Sequence, residues 1–312
     1  MGEKPENSVE DTAIEPQRRA RLMRLATYAS VSVASILVVT KFGAWIMTDS
    51  VSLLSTLIDS LLDVAASVLN LIAVHHALQP ADYEHRFGHG KAEALAGLGQ
   101  AAFISGSAAF LLIEAGQRIL SPKIIDNSEI GIASMIVAIA LTVLLVVFQR
   151  YVVRKTGSIA IDADSLHYQT DVLVNAGVIV SLLLVSQLGW TLADPLIAIA
   201  IAGYIVLGVW KIAYGAINVL MDRELPDEDR QRIRVIAMGH PEVRDLHNLR
   251  TRSSGTQIFI QLDLEMDGDL TLRAAHAVTV QVMGELADSF PNAEIFVHQD
   301  PAGEEQEHGL QV

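Results

Sequence analysis

The stretch "LIDSLLD", residues 57–63, puts Asp59 and Asp63 inside a run that otherwise has the composition of a membrane span. Residues four apart on a helix project from one face. With a helix starting near Val51, a rise of about 1.5 Å per residue places the two carboxylates about 12–18 Å deep. An ionisable side chain there costs at least about 2.5–3.5 kcal/mol on insertion scales, so the pair is expected to face the bundle interior and to have a function. The alternative is a polar packing pair shared with a neighbouring helix. The stretch "LHYQTD" repeats the spacing with His167 and Asp171. The purely apolar part of that span runs only from Val172 to Leu188, which leaves two placements open, at the cytoplasmic headgroups or inside the bundle. Chemistry favours the second. Two carboxylates from one helix, with an imidazole and a carboxylate from another, form a four-ligand set of nitrogen and oxygen donors. Such a set suits Zn²⁺, with Fe²⁺, Mn²⁺ and Cd²⁺ as lesser fits.

Three carboxylates in a low-dielectric bundle must hold a divalent cation or take up protons. An imidazole binds metal only when neutral, and its ordinary pKa is about 6.5. Metal and protons therefore compete for the set. A chain that exposes it alternately to the two sides of a membrane is a metal/proton antiporter.

Two further sets have ligand chemistry. In "PADYEHRFGHGKAE", Asp82, His85 and His89 form D-x2-H-x3-H, and Gly88 and Gly90 let the loop bend around an ion. Solvated loop residues have the same look. Near the C-terminus, His247 and Asp263 fall on successive strands, close to opposite one another. His276 follows in a helix, and His298 and Asp300 share a face of the last strand. These five can bind metal, or they are scattered surface residues. His75, His76, His240 and His308 fit no cluster. The chain has no cysteine, which excludes thiolate sites. It has no H-E-x-x-H, the pattern of many zinc proteases. A net charge of −14 argues against nucleic acid.

The elements that must position these residues follow from hydropathy. Of the 312 residues, 51% are hydrophobic, and six apolar stretches of spanning length occur at roughly 24–47, 51–78, 93–120, 129–153, 157–188 and 191–221. Short links ("TDS" and "GWTLADP") make hairpins of spans one and two and of spans five and six. Glu114 sits near the outer end of span three. Gly97, Gly99, Ala102 and Gly106 make a small-residue region for close helix packing. Arg18, Arg19, Arg21 and Arg24 precede span one, Arg86 and Lys91 lie between spans two and three, and Arg150, Arg154 and Lys155 lie between four and five. The other side offers little beyond Arg118 and Lys123, so both termini are expected in the cytoplasm.

From Arg223 hydropathy falls. An amphipathic helix ("LPDEDRQRIRVIAMG") precedes a strand ("VRDLHNLRTR"), a turn ("SSG") and a second strand ("TQIFIQLDLEM") with Ile258, Ile260, Leu262 and Leu264 on one face. A helix and a last strand ("AEIFVHQD") complete an α-β-β-α-β order. The predicted fold is a six-helix transmembrane bundle at 21–221 with a small cytoplasmic α+β domain, ferredoxin- or metallochaperone-like, at 222–301. Residues 1–20 and 302–312 read as disordered tails.

"DSLLD", "HYQTD", "FGHGKAEALA" and "LHNLRTR…HQDP", in this order and spacing, resemble the cation diffusion facilitator family, in particular its bacterial zinc and ferrous-iron efflux branch. The likeness runs from about Ala20 to Pro301. It implies a transport site of Asp59, Asp63, His167 and Asp171, with the last two inside the bundle. It implies a loop site at Asp82, His85 and His89. It also implies a cytoplasmic site at His247, His276, His298 and Asp300 that holds two zinc ions and joins the C-terminal domains of a homodimer. Leu166 corresponds to an apolar gate at the inner entrance, and Lys91 and Asp222 to a charge interlock between protomers. One departure stands out: Asp263 occupies a position that is usually His in close bacterial relatives. A harder, charged ligand there changes the number, affinity or identity of the ions bound. No long His-rich insertion separates spans four and five, as it does in many eukaryotic zinc members. In this family His with three Asp goes with Zn²⁺ and Cd²⁺.

The expectation is therefore a Zn²⁺/H⁺ antiporter, not an enzyme, acting as a homodimer in a bacterial inner membrane by alternating access. The competing reading is a membrane-anchored metal sensor without transport.

Overall fold

The computed structural model describes residues 16–48, 51–120, 129–190 and 192–303. The outer tails with His308, the link at 49–50 and Lys123 lie outside the described residues, as does the side chain of Arg118. Six long helices come first: α1 (Pro16–Thr48), α2 (Val51–Ala77), α3 (Lys91–Leu120), α4 (Glu129–Thr156), α5 (Ile159–Leu188) and α6 (Ala193–Leu220). The start of α1 corrects the expected tail of 1–20, because residues 16–20 are helical. Pro16 lacks only an amide that a first helical residue leaves unused, and Gln17, Arg18, Arg19 and Ala20 are good helix formers.

Five helices, α1, α2, α3, α4 and α6, contain described stretches long and apolar enough to cross a membrane. The bundle has the polarity a lipid solvent demands. Val39, Phe110, Leu144, Leu207 and Trp210 point outward, whereas Ser30, Ser67, Asn70, Gln100, Gln149, Asp164 and His167 are buried. Large apolar side chains meet lipid, and polar ones lie inside, where pairs such as Ser30 with Asp164 and Ser67 with Tyr168 form. α5 packs against α4, α6 and α3, and α3 lies along α6. α4 and α5 are separated by Gly157 at φ +68°, whose amide bonds Val153 O at 2.8 Å, a left-handed helix stop that suits glycine.

The C-terminal region consists of α7 (Asp227–Met238), β1 (Val243–Ser254), β2 (Gln257–Met266), α8 (Leu272–Ser289) and β3 (Ala293–Pro301), the expected α-β-β-α-β order. The sheet order is β1-β2-β3, antiparallel between β1 and β2 and parallel between β2 and β3 through α8. Ile260, Leu262 and Leu264 of β2 pack with Ile233 of α7 and Val282 and Leu286 of α8 in one core. Alternation sends Phe259, Gln261, Asp263 and Glu265 to the opposite face, which no helix of this domain covers.

Candidate metal sites

Inside the bundle, α2 and α5 bring Asp63, His167 and Asp171 together, with one ligand atom of each within 4.8 Å of the others. His167 Nε2 lies 3.0 Å from Asp63 Oδ1 and 3.8 Å from Asp171 Oδ2. The His167 side chain is 6% exposed, which places it inside the bundle. Its ring packs against Phe103 of α3 and Tyr168. Asp59, one turn before Asp63, is exposed and does not join the three. Leu166 is buried among Ala101, Ile104, Ile205 and Ile212, so it joins α5 to α3 and α6. A Cβ on Gly208 would come within 2.8 Å of the Leu166 methyl groups.

Two neighbours of this set were not anticipated. Lys41 of α1 donates to Ser60 Oγ at 2.6 Å and to Thr56 O at 3.2 Å, and its charge is felt at Asp59 and Asp171. Asp164, one turn before His167, is fully enclosed. It accepts from Ser30 Oγ of α1 (2.5 Å), Gln100 Nε2 of α3 (3.0 Å) and Gln149 Nε2 of α4 (2.6 Å). Tyr168 adds a bond to Ser67 Oγ of α2 at 2.7 Å. This layer fixes the rotation of α5 about its axis. Its sequence signal was a third acidic residue on the His167 stretch, and its partners are uncharged residues on other helices.

Between α2 and α3, Asp82, His85 and His89 also converge. Asp82 Oδ1 accepts the amides of His85 (2.6 Å) and Glu84 (2.9 Å), and it lies 3.3 Å from His85 Nδ1. Asp82 Oδ2 lies 3.3 Å from His89 Nε2. The amide of His85 first, then that of Glu84 and the two imidazoles, hold the Asp82 carboxyl below the usual carboxylate range. The loop is pressed onto the C-terminal domain. A Cβ on Gly90 would lie 2.2 Å from Ser254 O, and Arg252 stacks over Phe87 and Phe259. Lys91 Nζ meets Asp222 Oδ1 at 2.9 Å within the chain. Asp222 ends α6 at φ 55°, which swings its carboxylate toward Lys91 and Arg252.

On the open sheet face, His247 sits opposite Asp263 in the register, as expected. His247 Nε2 is 3.1 Å from Asp300 Oδ2 and 3.8 Å from Asp263 Oδ2, and the three form the third convergent set. His298 Nε2 touches Asp300 Oδ1 at 3.0 Å from the solvent side. His276 is exposed on α8 and is not part of the convergent set. Glu265 Oε1, 3.2 Å from His247 Nδ1, and Asn248, which donates to Asp263 Oδ2 at 2.8 Å, support the ligand atoms. A bulge between His247 and Arg250, with Asn248 at φ 51°, aims that amide. The hydrophobic pattern carries no trace of the bulge, so Asn248 escaped the sequence reading.

Residues 27–221 match the family of cation efflux transmembrane domains, and residues 225–302 match that of cation efflux cytoplasmic domains. The cation-efflux pump FieF of Serratia proteamaculans is 49% identical over 288 residues, covering 92% of this chain and 95% of the relative. The FieF of Shewanella oneidensis is 46% identical over 279 residues, 89% of this chain and 94% of the relative. Among solved structures, the metal-bound C-terminal domain of the CzcD transporter from Thermotoga maritima is 27% identical, with 26% of this chain and 100% of that one covered and a TM-score of 0.25. With these two domains and relatives of nearly half-identical sequence along about nine-tenths of its length, the chain belongs to the cation efflux (cation diffusion facilitator) family: it is a multi-pass membrane transporter, not an enzyme.

Proposed function

We propose that this chain exports Zn²⁺ from the cytoplasm in exchange for protons. The transport site comprises Asp59, Asp63, His167 and Asp171, and the cargo is carried by alternating access. The observation that carries the reading is the meeting of Asp63, His167 and Asp171, from two helices, inside a bundle whose outer surface is apolar. Relatives named cation-efflux pumps support the direction. Buried carboxylates and an imidazole bind either a divalent cation or protons, so filling from the cytoplasm expels protons and protonation from the far side expels the metal. Asp59 joins the other three when the cation is bound, drawn in by its charge. Cd²⁺, Fe²⁺ and Mn²⁺ are weaker substrates by the donor set.

Around this core we assign a transport unit over 21–221 and a metal-binding dimerisation unit over 222–301. Leu166 closes the inner entrance. The chain works as a homodimer in the bacterial inner membrane with both termini in the cytoplasm. His247, Asp263, His298 and Asp300 fit a zinc ion held by oxygen and nitrogen donors, and His276 joins them only if α8 or its side chain moves. The convergence at His247 keeps a second reading in view, a sensor without transport. It leaves Asp63, His167 and Asp171 with nothing to do, so we prefer sensing that serves transport. Metal on the sheet face then biases the bundle, which requires different affinities in its two states.

The test is zinc flux into proteoliposomes under an imposed pH gradient. Flux that follows the gradient and disappears in Asp63→Ala and in His167→Ala supports antiport at this site. Wild-type flux in both variants overturns it. Transport of ferrous iron or manganese but not zinc retains the site and changes the substrate.

A further inference from the structure

At the start of α3 two deeply buried atoms lack a hydrogen-bond partner: Nδ1 of His89 and Oε1 of Glu93. They belong to residues four apart, 7% and 3% exposed. Buried polar atoms are almost always paired, so two orphans one turn apart require an explanation. Each residue has polar neighbours at its other end. His89 turns Nε2 toward Asp82, within the loop set. Glu93 lies beside the first turn of α5, where the Ser158 hydroxyl and the amides of Ala160 and Ile159 favour its charge. The approach is possible because α3 lies hard against α5 at Gly97, where a Cβ would be 2.7 Å from the Ile159 side chain.

We infer that Glu93 is the positioning carboxylate of a divalent-cation site at Asp82, His85 and His89, and that it joins that site mechanically to the N-terminus of α5. The inference rests on the loop set being a metal site. Its chemistry is a matter of tautomers. With the ring proton on Nε2, toward Asp82, His89 Nδ1 and Glu93 Oε1 are both acceptors and neither satisfies the other. With Nε2 serving as a ligand, the proton resides on Nδ1 and needs a buried acceptor. Glu93 Oε1 is that acceptor. The same carboxylate lies at the N-terminus of α5, the helix that carries Leu166, His167 and Asp171. Ion binding in the loop therefore pulls on the first turn of the transport helix. The competing acceptor is His76, whose ring lies 4.5 Å from that of His89, but His76 is exposed and would tie His89 to α2 instead.

The experiment uses the full chain with Asp63→Ala and His247→Ala to silence the other two sets, and Co²⁺ and Zn²⁺ as probes. Glu93→Gln should weaken binding about 10- to 100-fold while leaving the absorption band of bound Co²⁺ unchanged, since the direct ligands remain. His76→Ala should leave the affinity as it was. In the background with Glu93 intact, Zn²⁺ should slow hydrogen exchange of the amides at 159–161, and should not do so in Asp82→Ala. Unchanged affinity in a folded Glu93→Gln protein, or a loss that follows His76 instead, overturns the inference. So does exchange at 159–161 that ignores Zn²⁺, a readout that stands even if Glu93→Gln does not fold. Binding that survives Asp82→Ala undiminished identifies a different failure, that of the loop site itself.

Discussion

The bundle set and the sheet-face set use the same ligand types but are backed differently. Asp63, His167 and Asp171 come from two separate helices, and among the described residues the hydrogen bond to the Asp63 carboxylate is from His167. On the sheet, His247, Asp263 and Asp300 come from three neighbouring strands of one ladder, and Glu265 and Asn248 brace them. Bracing partners raise affinity and fix geometry. Ligands on separate helices can part when the helices slide, whereas ligands on paired strands cannot. One arrangement is suited to releasing its ion and the other to keeping it.

The strongest way to break this contrast is to remove one imidazole from each set. His167→Ala should reduce zinc flux to the background of empty liposomes. His247→Ala should leave measurable flux with a changed dependence on cytoplasmic zinc concentration. Equal loss in both would mean that the two sets form one pathway.

A second test concerns what the bundle set has in place of direct bracing, the Asp164 layer. Asp164→Ala strips the acceptor from Ser30, Gln100 and Gln149 at once. Gln100 then loses its acceptor, while Ser30 keeps Ala26 O and Gln149 keeps Ser30 Oγ. One buried donor is thus left unpaired at a cost of about 1–3 kcal/mol, so thermal unfolding of the bundle should move down by several degrees. Zinc binding at the sheet face should be untouched. Asp164→Asn, which keeps one acceptor, should lie between. A bundle that melts normally in Asp164→Ala would show that α5 is held by apolar packing alone.

How much of this was legible beforehand differs between the two regions for a physical reason. Period and spacing reveal what lies on one element. Asp59 with Asp63, His167 with Asp171, and the alternation of Ile258 to Leu264 were all readable because a helix or strand repeats along its own sequence. The nearness of His247 to Asp263 was readable too, since a short turn sets the register to within one residue, and the bulge between His247 and Arg250 then brings the two opposite each other. What stayed hidden depends on neighbours far away in sequence. Asp164 gains its partners from α1, α3 and α4, and Glu93 lies beside the start of a helix 66 residues further along. Asn248 depends on a bulge, and Asp59, though in step with Asp63, does not meet the other three. The helical start at Pro16 was missed for a simpler reason, because hydropathy marks where lipid begins and not where the helix does.

Bracing can be probed on the sheet without touching a ligand. Glu265→Gln removes the carboxylate beside His247 Nδ1 and keeps its shape. Zinc affinity of that site should fall about 10-fold, measured by competition with a chelating dye in a protein with Asp63→Ala. Flux in the otherwise native chain should change little. An unaltered affinity would reduce Glu265 to a surface charge and weaken the contrast drawn above.

The smallest expected effect lies in the loop, which has features of both regions: an exposed carboxylate, but one braced by backbone amides. The His85 and Glu84 amides lower the Asp82 pKa in the folded loop. A group whose folded pKa is depressed stabilises the fold above its unfolded pKa and loses that contribution as pH falls through the folded value. The turn at 82–85 should thus persist while ordinary aspartates, near pKa 3.9, are being protonated, and should loosen only at lower pH. The amide signals of Glu84 and His85, followed by NMR during acid titration, report this directly. Asp82→Asn retains the acceptor oxygen and loses the charge, so the turn should form with no acid step while Co²⁺ binding in the loop weakens. An acid step that remains in Asp82→Asn would assign the transition to a neighbouring group and leave the Asp82 turn without a part in it.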